Sequence, residues 1–555
     1  MKLRSLLCGT VISSFVLVAA PAQTKSDSKI PHLEKRGPVT QLIVDGKPFL
    51  VLAGELHNSS SSSLEYMKPI WPRLVKMNLN TVLAVVSWEQ VEPAEGRFDF
   101  TVVDGLLREA RQQHLRLVIL WFGSWKNGTS RYEADWVKTD QARFPRVVNK
   151  DGKSLEILST LGEATREADA KAFAALMRHL RAVDSRDHTV IMIQMQNEVG
   201  VLGDSRDRSP AANAAFARPV SKELLDYLQQ HKNTLLPELR KIWDVAGNKT
   251  AGTWEEIFGK GTATDEIFQA WNYARFCNRV SEAGKAEYAL PTFVNTWIVQ
   301  PEDKGPGDYP SGGPQAHVHD FWRAGAPKID ILAPDIYLPD FPGILKMYSR
   351  SGNPVFIPES RAGAGGAANA FFAFGQFGAI GYSPFGIEAQ EGENGMIPKA
   401  YAMLGQLAPL ILEHQAKGSI AGVWLTREKP SEKVSLGNYT LNVELRKQRR
   451  SPASLPDLGY AICLATGPDE YVVSGSDVQV TFTPNMPGLP IVGLLSVEEG
   501  AFKDGKWIPG RRLNGDEVQL RYDLSVAAAE NQPGTGLRFP AGAPGIQRVK
   551  LYRYR

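Results

Sequence analysis

Between residues 49 and 382 the chain alternates short β-branched runs with segments whose apolar positions recur every three or four residues. The runs at 49–55, 80–86, 116–121, 189–196, 292–296, 329–334, 354–358 and 379–382 are apolar on both faces. That pattern predicts parallel strands covered on each side by helices. Helical spacing falls between them, at 64–77, at Val103, Leu106, Leu107 and Ala110, and at Phe173, Leu176, Met177 and Leu180. Eight such units predict an α/β fold, a (β/α)8 TIM barrel over 37–414 with a helical insertion at about 210–288. A doubly wound sheet is the alternative, but no glycine-rich nucleotide turn follows the first strand. Residues 41–48 read as a hairpin that plugs the barrel floor. From 415 to 555 the period changes to short alternating strands, for example 470–473, 478–482 and 518–522, separated by Gly, Pro, Asn and Asp. This predicts a C-terminal β-sandwich.

The first residues change the picture of where the protein works. Lys2 and Arg4 precede an apolar run from Leu6 to Ala19, and Ala20-Pro21-Ala22 has the small-x-small form of a cleavage site. Residues 1–22 therefore read as an export signal, with the periplasm or the exterior as destination. A membrane anchor is the alternative, though the run is short for a bilayer. Residues 23–36 read as a disordered linker. The 63 basic and 60 acidic residues leave a net charge of +3, with no basic stripe or acidic tail. Neither nucleic acid nor an anionic membrane is implied as a partner, and an uncharged small molecule or polymer is. Beyond the signal, Cys277 and Cys463 fall in different predicted domains, so no disulfide is expected, and no Cys/His cluster has zinc spacing.

The candidate chemistry lies at strand ends. The fourth run closes with Asn197-Glu198 and the seventh with Glu359-Ser360. Carboxylates at the C-terminal ends of parallel strands sit where barrel enzymes carry out their reactions. Two acids facing one cleft suffice to cleave a glycosidic bond, at a separation of roughly 5–5.5 Å for retention and 6.5–9.5 Å for inversion. Asn197 is placed to hydrogen-bond a sugar 2-hydroxyl, and Tyr337, after strand six, to hydrogen-bond Glu359. Trp88, Trp121, Trp125 and Trp297 lie at or beyond strand ends, as core or as platforms for sugar rings. Trp125 and Asn127, in a polar loop, are the best substrate contacts among these. Glu55 and His57 close strand one and are expected to bind hydroxyls, while Glu55 with Glu89 is a rival acid pair. Asp335 reads either as a sugar contact or as a support for its neighbours.

Several of these segments resemble glycoside hydrolase family 35, the β-galactosidase family. The likeness is carried by Gln194-Met195-Gln196-Asn197-Glu198-Val199-Gly200, by Gly54-Glu55-Leu56-His57, and by Trp88-Glu89-Gln90-Val91-Glu92-Pro93. It departs where the family places a galactose-binding tyrosine and glutamate, at Val85 and near Ser124. The resemblance is thus to a divergent bacterial branch with a C-terminal β-sandwich. It implies a retaining exo-β-galactosidase acting on terminal β-linked galactose, with xyloglucan side chains as a candidate source. In that scheme Glu198 is the acid/base, Glu359 the nucleophile, and no metal or organic cofactor is used. Another sugar, such as glucose or arabinose, and a non-catalytic carbohydrate-binding protein are the alternatives. The oligomeric state is left open.

Overall fold

The structure, a computed structural model, describes residues 30–446, 455–520, 534–542 and 544–555. Eight strands form one parallel sheet: β1 Val51–Glu55, β2 Thr81–Ser87, β3 Arg116–Phe122, β4 Val190–Met195, β5 Thr292–Trp297, β6 Ile331–Asp335, β7 Phe356–Ile357 and β8 Gly381–Tyr382. Their order is β6-β5-β4-β3-β2-β1-β8-β7. The sheet closes where Ile336 bridges Ser360 and its N–H donates to the Glu359 carbonyl at 2.9 Å. The TIM barrel follows from strands buried on both faces, as the apolar runs require.

Inside the barrel, Val51, Ala53, Leu83, Val85, Val118, Leu120, Phe293, Ile331 and Phe356 share one core. Leu42 and Val44 join it from the strand Val39–Val44, which turns back through Lys47–Phe49, so the hairpin does fill the floor. The remaining apolar face of the strands packs under the helical ring.

Four expectations are corrected. Residues His32–Arg36 are a strand paired antiparallel with Val39–Val44, not a linker. Leu33 packs against the barrel-floor core while Glu34 and Lys35 face solvent, so polar composition hid a half-buried edge. The helix expected at 64–77 is two, Leu64–Met67 and Trp71–Lys76. Pro69 has no N–H to continue the first, and Pro72 sits at the start of the second. Within the insertion, Thr262–Glu287 packs along Glu163–Asp184 as a barrel-wall helix. The added material is therefore the helices Pro210–Phe216, Lys222–Gln230, Pro237–Val245 and Trp254–Phe258. The strand expected at 518–522 is not formed through Leu520: Gly515–Glu517 is a 3-10 turn, and Gln519 makes a lone bridge to Thr535. Its last two positions, like the export signal at 1–22, lie outside the described residues.

After the last barrel helix, Met396–Lys417, two antiparallel sheets face each other. The larger runs in the order Ile420–Thr426, Leu458–Gly467, Glu470–Ser476, Gly545–Tyr554, Ile491–Lys503, Lys506–Leu513. The smaller runs Ser431–Leu436, Tyr439–Leu445, Val478–Pro484, Leu537–Arg538. Leu441, Val443, Val473, Val480, Phe482 and Val549 fill the space between them. The larger sheet docks on the barrel, with Tyr460 against Phe371 at 4.9 Å. The helix Gly363–Gln376 comes so close that a Cβ on Gly375 would lie 2.6 Å from the Gly422 Cα, so no larger residue fits. Cys277 and Cys463 are both buried and free. No helix among the described residues is long and apolar enough to cross a membrane.

Candidate active site

Glu198 leaves β4 through a turn that only specific backbone shapes allow. Gln196 and Glu198 both take left-handed φ values, 59° and 44°, an uncommon and strained choice for such residues. Surrounding contacts hold the turn. Gln196 accepts from the Trp125 N–H at 3.1 Å and donates to Asp169 at 2.7 Å. The Glu198 N–H donates to Asn295 Oδ1 at 3.0 Å, and its carbonyl accepts from Gly128. Strain held this firmly is characteristic of a functional position.

Glu359 emerges from β7 on the facing side, and the two acids do converge. One carboxylate oxygen each from Glu198, Glu359 and Asp335 lie within 4.8 Å of one another. Tyr337 donates to Glu359 Oε2 at 3.0 Å, as expected. Asn197 donates to Glu359 Oε1 at 3.2 Å, and Asn295 to the same oxygen at 3.3 Å. Asn295 also donates to Asp335 Oδ2 at 2.7 Å, so one amide ties together the ends of strands four, six and seven.

Charge crowding sets the protonation pattern. Burial, reinforced by the charge of Glu359, pushes the Glu198 carboxyl up to about 7. Burial pushes Asp335 well up too, and the charges of Glu359 and Glu198 add to it. The Asp335 and Glu198 carboxyls come within 4.8 Å of each other, so the protonation of one depends on that of the other. Burial likewise raises Tyr337, helped by Glu359. The arrangement sets Glu198, which holds its proton to about 7, beside Glu359, which accepts from Tyr337, Asn197 and Asn295, and glycoside cleavage needs such a pairing of acid and acceptor.

The other expected site residues divide. Glu55 is fully buried and feels the charges of Glu359 and Glu198, so it belongs to the cluster. Glu89 does not: it pairs with Lys138 at 2.8 Å on the outside, which dissolves the rival acid pair. His57 stands exposed at the rim, its Nδ1 3.1 Å from Glu388. Asn127 is exposed and accepts a hydrogen bond from Lys126. Trp125 is a correction. It is fully buried, donates to the Leu158 carbonyl at 3.0 Å, and packs edge-on against Tyr273 and Phe276. The loop after β3 turns its indole inward as the loop's own core, so it cannot stack on a sugar. Trp88 and Trp121 are also buried, spending their N–H groups on Glu92 and Asp169.

Two contributors escaped the sequence reading. Asn295 carried a signal, since an amide inside an apolar strand is disfavoured without a polar partner. Lys126 carried none, because a lysine in a polar loop reads as surface; here it is buried, donating to Asn197 Oδ1 at 3.1 Å.

A family model described as Glyco_hydro_42, beta-galactosidase, matches residues 62–288, and a domain of unknown function, DUF5597, matches 397–525. Residues 62–288 are therefore similar to β-galactosidases, through Glyco_hydro_42 where the motifs resembled family 35. A curated β-galactosidase from Xanthomonas manihotis is 28% identical over 271 residues, 46% of this chain and 41% of that protein. Beta-galactosidase 11 of Arabidopsis thaliana is 28% identical over 170 residues, 29% of this chain and 18% of that protein. The chain thus spans less than half the length of either relative. Among solved structures, a β-galactosidase from Bacillus circulans sp. alkalophilus is 15% identical with a TM-score of 0.43, covering 66% of this chain and 57% of its own.

Proposed function

We propose that the protein is a retaining exo-β-galactosidase of the divergent family 35 type, exported to the periplasm or the exterior. Terminal β-linked galactose, including that of xyloglucan side chains, is its proposed substrate. The observation that carries the proposal is the approach of Glu198 and Glu359 to within 4.8 Å. Oxygens that approach this closely favour double displacement, whose carboxyls stand roughly 5–5.5 Å apart, over inversion, whose carboxyls stand roughly 6.5–9.5 Å apart to seat a water. A Glu359 oxygen attacks the anomeric carbon while Glu198 delivers its proton to the departing oxygen. The C–O bond to the leaving group breaks and a galactosyl–Glu359 ester forms. Water then attacks the same carbon, Glu198 takes its proton, and the ester opens to free galactose.

One observation favours a second reading. Val85 lies in the apolar barrel interior, and Ser124 donates to Asp169 at 2.7 Å. Neither supplies the galactose contact that family 35 places there, so glucose or arabinose is the alternative sugar. A panel of nitrophenyl β-galactoside, β-glucoside and α-arabinoside decides between them. Proton NMR of the first product tests the stereochemistry: β-galactose appearing first supports the proposal, and α-galactose first contradicts it. Turnover by wild type no faster than by Glu359→Gln would instead favour a carbohydrate-binding protein without catalysis.

A further inference from the structure

Glu55 and Lys126 are buried ionisable groups that the protein leaves incompletely satisfied. Neither Glu55 oxygen has a hydrogen-bond partner among the described residues, although the side chain is wholly shielded from water. Lys126 Nζ donates to Asn127 and Asn197, which uses two of its three N–H groups. The two side chains feel one another's charge, yet they do not form an ion pair. Lys126 reaches Asn197, which is bonded to Glu359, and the charges of Glu198 and Glu359 act on both groups, so both lie beside the acid cluster. A buried carboxyl without hydrogen-bond partners is costly, and buried groups of this kind are normally completed by a partner. Here a ligand is the available partner.

Their place on the rim says which part of a sugar they meet. Glu55 ends β1, and Lys126 follows β3. Between them β2 turns Leu83 and Val85 into the apolar barrel interior. The anomeric carbon must sit at Glu359, and Asn197, bonded to Glu359, lies beside C2. Glu55 and Lys126 then meet the far edge of the ring. We propose that they form a clamp for the hydroxyls on C3 and C4 of a neutral pyranose, Glu55 accepting from them and Lys126 donating its remaining N–H. The clamp does the work of the tyrosine and glutamate that this chain lacks. It rests on the glycosidase reading and names the part of the sugar that the site recognises.

The test is a cycle between enzyme and substrate. The full-length protein, Glu55→Leu and Lys126→Met are assayed on whichever nitrophenyl hexoside of the panel above, galactoside or glucoside, the wild type turns over faster, and on its 3-deoxy, 4-deoxy and 6-deoxy analogues. A site built to bond a hydroxyl strongly rejects the analogue that lacks it. The wild type should lose roughly 100-fold or more in kcat/KM when the 3- or 4-hydroxyl is removed. In the variants that penalty should shrink to about threefold, while the 6-deoxy penalty stays as in wild type. Equal 3- and 4-deoxy penalties in wild type and both variants would overturn the clamp. So would a wild type indifferent to both deletions, a result that needs no variant to fold. Preference for the glucoside or arabinoside would overturn galactose as the substrate while the cycle still judges the clamp. A wild type inert on the whole panel would contradict both.

Discussion

The barrel mouth and the sandwich interior are both buried, yet they are built on opposite principles. Between the two C-terminal sheets the described core is Leu441, Val443, Val480, Phe482 and similar side chains, whose burial is its own reward. At the mouth, Glu55, Asp335, Glu198, Glu359 and Lys126 are buried together, with left-handed backbone at Gln196 and Glu198. Such a cluster opposes folding and persists because the packed strands beneath over-determine it. Stability is gathered in one region and spent in the other, which is how a working site is told from a scaffold.

Substitutions should separate the regions cleanly. Glu359→Gln should lower kcat by roughly 10^4-fold or more, since it removes the nucleophile of the proposed covalent route. Glu198→Ala should cost on the order of 10²–10⁴-fold on a nitrophenyl glycoside and far less on the dinitrophenyl analogue, whose leaving group needs no proton. Asn295→Ala, which frees Glu198, Asp335 and Glu359 at once, should cost about 10²-fold through misplacement alone. In the sandwich, Leu441→Ala should destabilise the fold by about 2–5 kcal/mol and leave kcat/KM within about twofold. Loss of activity by the folded Leu441→Ala protein would break the contrast.

The same contrast predicts opposite responses to pH. Glu198 in the folded protein holds its proton to about 7, above the ordinary range of an exposed glutamate near ~4.3. The folded state therefore binds that proton more tightly than the unfolded chain. Its contribution to stability is full below the unfolded value and is lost as pH rises through about 7. Glu198→Gln should consequently raise Tm at pH 8 relative to wild type and change it little at pH 4. In the wild type, kcat/KM should fall as pH rises through about 7, because the acid must carry its proton to work. A thermal scan and a pH–rate profile check the two halves.

The fold was legible because strands buried on both faces leave continuous apolar runs, and because Glu198 and Glu359 each follow one. Tyr337 was legible for a related reason, its place just beyond β6. What stayed hidden depends on loop direction. Trp125 and Lys126 are adjacent, yet the indole turns into the core and the ammonium toward the cleft, and no periodicity records which way a loop side chain points. The His32–Arg36 strand was hidden because its pairing is through backbone groups, which composition does not report.

The most direct measurement is to trap the intermediate. Incubation with 2-deoxy-2-fluoro-β-galactosyl fluoride, which slows release more than attack, should leave one fluorogalactosyl group per protein. Peptide mass spectrometry should place it on Glu359. An adduct on Glu198, Asp335 or Glu55, or inactivation with no adduct, would contradict the assignment of the nucleophile.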